Sequence, residues 1–144
     1  MFVVFLAADM GEPSRPGQRL ATATTPIYWG TMTDESVATF EAHTGKNVSI
    51  VQFGKGWWFH NDYVPFSTSD FESIRQHGSI PMVDWRSWDY TVVPAYEQPR
   101  FSLGTIINGT HDAFIRSWAI AARQWGHPFF LRFDAQLEAI KCSS

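Results

Sequence analysis

Two rhythms of apolar residues alternate along this chain. Short runs of strand length are followed by segments in which apolar side chains recur three or four apart, the spacing of one helix face. The aromatic run Ile27-Tyr-Trp-Gly30 reads as a first strand. Thr33-Asp-Glu-Ser36 follows, with Thr33 as the expected N-cap of a helix that buries Val37, Phe40 and Ala42 or His43 and stops at Gly45. Val48-Ser-Ile-Val-Gln-Phe53 is β-branched and uncharged, as in a strand covered on both faces, and Gly54 and Gly56 open the loop after it. A helix is expected over residues 68–77, with Phe71 and Ile74 on one face and Gly78 as its stop. Ile80-Pro-Met-Val-Asp-Trp85 reads as the third strand, Pro81 lying at its start where no ladder donor is missed. The strongest helix starts at Thr110 or His111, carries Phe114, Trp118, Ala121 or Ala122 and Trp125 at helical spacing, and ends at Gly126. Pro128-Phe-Phe-Leu-Arg-Phe133 is the fourth strand.

Strands starting near residues 27, 48, 80 and 128, each pair separated by a helix, specify βαβ units and hence an α/β fold with a parallel sheet. No Gly-x-Gly-x-x-Gly or phosphate-loop motif follows a strand, so a nucleotide-binding doubly wound fold has no support. A TIM (β/α)₈ barrel needs roughly 250 residues for its eight repeats. The 144 residues here show about the first three and a half units, so the expected architecture is an incomplete TIM barrel over residues 27–144. Residues 1–26 contain Gly11, Pro13, Pro16 and Gly17 without apolar periodicity and read as an N-terminal linker or remnant signal segment. A half barrel exposes strand edges and is expected to self-associate. The competing α/β reading, a small complete domain of unrelated function, would need helices on both faces of the sheet and no open edge beside its last strand.

Composition narrows the function. With 44% hydrophobic and 17% charged residues the chain is an ordinary globular one. A net charge of −3, with basic residues scattered singly, argues against nucleic acid as a partner, since phosphate binding needs a basic face. The apolar stretch Phe2–Ala8 is too short to span a membrane but resembles a marginal signal segment, so a secreted, extracellular protein is expected. Asn47 and Asn108 begin glycosylation sequons that matter only on a eukaryotic secretory route. The single cysteine, Cys142, forms no internal disulfide. Histidines 43, 60, 77, 111 and 127 lack metal-ligand spacing and read as helix-end or surface residues, so neither a metal nor another cofactor is expected.

Aromatics reach 16%, with seven Trp and twelve Phe, more than a core of this size needs. In parallel barrels ligands sit at the C-terminal ends of the strands. There the chain places Trp29, then Trp57, Trp58 and Phe59, then Trp85 and Trp88. Pyranose rings pack their C–H faces on indoles, so Trp57, Trp58, Trp85 and Trp88 are the candidate sugar-binding residues, set against core-capping roles for the same rings. Trp118 and Trp125, on a helix face, read as core.

Several segments resemble glycoside hydrolase family 26, the β-mannanase family. They are Tyr28-Trp-Gly30, Phe40-Glu-Ala-His-Thr-Gly-Lys46, Val48-Ser-Ile-Val51, Pro81-Met82 with Trp85-x-x-Trp88-Asp89, Phe101-Ser-Leu103, Phe114-Ile-Arg-x-Trp118-Ala119, and Trp125-Gly-x-Pro-Phe-Phe-Leu-Arg-Phe133. The likeness spans about residues 27–133 in order and spacing. It implies a (β/α)₈ barrel hydrolase, an endo-β-1,4-mannanase type of glycosidase acting on β-mannan, or in some members on mixed-linkage β-glucan or β-1,3-xylan, with retention of configuration.

Retention needs an acid/base and a nucleophile, two carboxylates about 5 to 5.5 Å apart. The resemblance puts the acid/base glutamate in a His-Glu-Met-Asn-type motif directly after Arg132-Phe133, where this chain reads Asp134-Ala-Gln-Leu-Glu-Ala139. Gln136 therefore occupies the acid/base position, and a neutral amide cannot release the proton. Glu138 would serve only if the register slipped by two residues. The family nucleophile lies on a later strand. Asp84 and Asp134, ending adjacent strands, are the remaining carboxylate candidates, against a simpler reading as solvated or Arg-paired aspartates. The expectation is a family 26-like chain without hydrolytic activity, the alternative a non-catalytic carbohydrate-binding remnant.

Overall fold

The computed structural model describes residues 28–33, 35–92 and 98–134; the expected linker over 1–26, Gln136, Glu138 and Cys142 lie outside them. The elements are β1 (Gly30–Thr31), α1 (Val37–Thr44), β2 (Ile50–Phe59), β3 (Asp62–Tyr63), α2 (Thr68–His77), β4 (Ile80–Asp89), a 3₁₀ turn at Pro99–Phe101, α3 (Leu103–Ile107), α4 (Asp112–Trp125) and β5 (Phe130–Phe133). The protein is α/β. Strands β1, β2, β4 and β5 lie side by side in that order and run parallel, while β3 folds back antiparallel on β2. Apart from that hairpin, chain order and spatial order coincide, so the sheet has no point at which its winding reverses. Among the described residues no helix is long and apolar enough to cross a membrane.

Alternation along the strands decides which residues meet the helices. Phe53 packs on Phe71 of α2 with ring centroids 5.1 Å apart, and Lys55 pairs with Asp70 of the same helix. Trp57 meets Phe114 and Trp85 meets Trp118, both on α4, at 5.4 and 4.7 Å. The core between sheet and helices contains Trp57, Phe66, Phe71, Val83, Trp85, Phe101, Phe114, Trp118 and Ala122, with Trp125 packed against it. Burying each large apolar side chain contributes roughly 1.5–3 kcal/mol, so this aromatic layer carries most of the cohesion. The intervening positions Gln52, Asp84 and Arg132 point to the opposite face and bond one another.

Helix α2 and the stop of α4 at Gly126 agree with the spacing of their apolar residues. Other elements differ, each for a local reason. Ser36, not Thr33, caps α1: its Oγ accepts from the Thr39 N–H at 3.1 Å, while Thr33 Oγ1 accepts from Glu35 N in a turn of its own. No residue of α1 is buried; Val37 and Phe40 are half-covered, and Ala42 and His43 are exposed. Among the described residues the first strand is Gly30–Thr31, and just before it the Trp29 carbonyl accepts from Ser49 and Ile50; Ile27 lies outside them. Gly54 and Gly56 do not end the second strand. It runs on to Phe59 and turns through His60 and Asn61, at φ 49° and 64°, into β3. Two consecutive left-handed residues are the turn that matches strand twist, and the Asn tolerates it best. Strand β4 likewise runs to Asp89, so both tryptophan pairs stand on strands rather than on loops.

Candidate functional site

The sheet face turned away from the helices is polar near the strands' C-terminal ends. Register sets Gly54, Asp84 and Arg132 side by side on β2, β4 and β5. Asp84, 1% exposed, accepts at Oδ1 from Arg132 Nε at 2.6 Å and at Oδ2 from Arg132 Nη2 at 2.8 Å. Gln52 Nε2 adds a bond to Oδ2 at 2.8 Å. A bidentate guanidinium–carboxylate pair of this kind is held by two charge-assisted bonds and is neutral as a unit. Arg86 reaches the same oxygen only at 3.5 Å, the outer limit of a hydrogen bond. Its guanidinium lies over Gly54, where an added Cβ would stand 3.7 Å from Cζ, and beside the Trp88 ring, 5.5 Å from its centroid. Tyr90 completes the corner: its ring is 6.4 Å from Trp88 and rests on Gly56, where a Cβ would stand 2.8 Å from Cδ2. Gly56 thus leaves the backbone of β2 bare for the ring of Tyr90, which directly follows β4.

The four candidate tryptophans do not form one platform. Trp57 and Trp85 point into the core, 4.9 Å apart, at 0% and 6% exposure, and offer no ring face to a ligand. The irregularity between Gly56 and Trp58 shifts the register of β2 against β4. Trp58, half-buried, packs on Tyr63 and Phe101 under the Arg100 guanidinium, 4.0 Å from its ring. Trp88, also half-buried, shares none of these neighbours and stands with Arg86 and Tyr90.

Nor do Asp84 and Asp134 meet as a carboxylate pair. Asp84 is committed to Arg132 and Gln52, whereas Asp134 turns away with φ 39° and accepts at Oδ1 from Ser87 N at 2.7 Å and at Oδ2 from Ser87 Oγ. Each carboxylate is held by its own donors, and among the described residues the two are not hydrogen-bonded to each other. Gln136 lies outside the described residues.

His111 stands at the start of α4, as its place before the helical spacing suggests, but is 1% exposed. Nδ1 lies 2.7 Å from Tyr63 Oη, and Nε2 lies 3.0 Å from the Arg100 carbonyl, which fixes Nε2 as the donor. The imidazole thereby ties the β2–β3 hairpin to the turn before α3. No local motif signals this role, because its partners lie 48 and 11 residues away. The polar row did leave a trace: Gln52, Asp84 and Arg132 each stand fifth in a six-residue, largely apolar run. Among the described residues no group of three His, Cys, Asp or Glu side chains converges as metal ligands would. Comparison of the chain with protein-family models, curated proteins and solved structures finds no match.

Proposed function

We propose that this chain is a carbohydrate-binding domain on a glycoside hydrolase family 26-type scaffold, its parallel strands being opening units of a TIM (β/α)₈ barrel, and that it holds β-mannan or a related polysaccharide without cleaving it. One observation carries the reading. Helices α2 and α4 cover one face of a sheet whose winding never reverses, and the opposite face gathers Asp84, Arg86, Arg132, Trp88 and Tyr90 towards the strand ends where such barrels bind ligands. A doubly wound sheet would place helices on both faces. Trp88 and Tyr90 supply ring surface for pyranose C–H faces, and the arginines supply donors for hydroxyls.

Hydrolysis with retention has no support in this arrangement. Asp84 is neutralised by Arg132, Asp134 is held by Ser87, and Gln136 stands at the acid/base position that the family resemblance marks. Substituting an amide for the acid typically lowers the rate by at least ~10²-fold. A polymeric ligand of this class also makes the protein a secreted one.

Affinity electrophoresis through soluble β-mannan, paired with a reducing-sugar assay, tests both halves. Retarded migration without sugar release is expected. Protein-dependent release would overturn the non-catalytic reading, and migration unchanged by mannan, mixed-linkage glucan, xylan and acidic glycans alike would overturn carbohydrate binding.

A further inference from the structure

The two arginines of the polar corner are unequally engaged. Asp84 offers two oxygens, and Arg132 takes both, with Gln52 sharing Oδ2. Arg86 keeps only the 3.5 Å approach, so among the described residues its remaining N–H donors have no acceptor. Its side chain is 22% exposed, enough to be reached and sheltered enough for its charge to be felt. None of the other described acids is hydrogen-bonded to Arg86: Asp134 accepts from Ser87, Asp89 accepts from Thr91, and Asp70 pairs with Lys55 on the helix side of the sheet. The guanidinium lies over the Trp88 ring, 5.5 Å from its centroid, and Tyr90, 45% exposed, stands next to Trp88.

We infer that the corner of Arg86, Trp88 and Tyr90 recognises the carboxylate of a uronic acid residue within a polysaccharide chain. A planar guanidinium presents paired N–H groups in the geometry of a carboxylate, and holding it against an aromatic ring lowers the cost of ordering it. The adjoining rings receive the sugar's C–H face, so charge and ring are read together. Neutral mannose hydroxyls would meet these donors singly, without the paired charge-assisted bonds that a carboxylate makes. The inference rests on the carbohydrate-binding reading above and adds the substrate class.

Calorimetric titration of the whole chain with a manno-oligosaccharide and with an oligouronate of equal length separates the two claims. The oligouronate is expected to bind about tenfold tighter at low ionic strength, the worth of one charge-assisted pair, and the preference should shrink as salt rises. Arg86→Gln should make the two ligands equal, while Arg86→Lys keeps the charge without the fork and retains part of the preference. If Arg86→Gln fails to fold, the salt series and Arg86→Lys decide. Equal or tighter binding of the neutral ligand overturns the uronate assignment and leaves the carbohydrate reading standing, as does a preference unchanged by salt or by a folded Arg86→Gln protein. A sulfated neutral oligosaccharide that binds as tightly as the uronate overturns the carboxylate as the group recognised. Binding of none of the three overturns the parent reading as well.

Discussion

Trp57 has no solvent exposure and touches five other rings, those of Trp85, Phe101, His111, Phe114 and Phe133. Its indole N–H, like that of Trp85, finds no acceptor among the described residues. A buried donor left unpaired costs roughly 1–3 kcal/mol, so ring packing must outweigh that cost at both positions. The two effects separate by substitution. Trp57→Ala should lower unfolding free energy by about 3–5 kcal/mol, the usual range for removing a buried aromatic, whereas Trp57→Phe should lose no more than about 1–2 kcal/mol because the orphan donor goes with the second ring. Denaturant melts of the two variants measure the difference, and equal losses would mean that the N–H is satisfied in solution. This residue also shows where sequence reasoning stops. Gly54 and Gly56 look like loop punctuation, and only the Tyr90 ring lying on Gly56, 34 positions further along, explains a glycine inside the strand.

Helices α2 and α4 are joined by one carboxylate. Glu72 accepts from Arg75 Nε at 2.8 Å within α2 and from Trp125 Nε1 at 3.1 Å across to α4. The Arg75 bond, opposed by partial desolvation and helped by Gln76 and Trp125, holds the Glu72 carboxyl down at about 2, against an ordinary value of 4.5. A carboxyl depressed in the folded state stabilises fully above its unfolded value, and that contribution is lost as pH falls from 4.5 towards about 2. Glu41, lowered by the Val48 N–H and by His77, adds in the same direction. Thermal midpoints of the wild-type chain should therefore fall through this window, and those of Glu72→Gln should fall less steeply. Parallel pH curves for the two proteins would remove Glu72 from the account. The helices themselves were legible because their apolar spacing and glycine stops are local signals. The hairpin at His60-Asn61 and the capping of α1 by Ser36 instead of Thr33 were not. The turn carries no glycine to mark its left-handed residues, and Thr33 and Ser36 are both suitable caps, of which Ser36 accepts from the Thr39 N–H.

Across the molecule, stability is concentrated where the aromatic layer lies. The buried cluster joins β2 and β4 to α2 and α4, whereas α1 contributes no buried residue. What fastens α1 is the tilted contact of Phe40 with Trp29 at 5.8 Å, and Glu41, whose Oε1 accepts from Val48 N at 2.7 Å and lies 3.1 Å from His77 Nε2. These contacts are few, whereas opening the central sheet would expose the whole aromatic cluster. Regions with few buried apolar contacts open locally before the whole protein unfolds. Native-state hydrogen exchange should therefore show two levels of protection. The amides of Phe40 and Gly45, bonded to the Ser36 and Glu41 carbonyls, should exchange by a small local opening, and those of Val83 and Trp85, in the middle of β4, only on global unfolding. Glu41→Ala should speed exchange in α1 and leave the protection of β4 nearly unchanged. The polar corner at Arg86 stands on β2 and β4, so it belongs to the well-protected part and should meet its ligand already formed. If α1 proved as protected as β4, or if Glu41→Ala lowered both together, the protein would unfold as one cooperative unit and the uneven distribution of stability would be wrong.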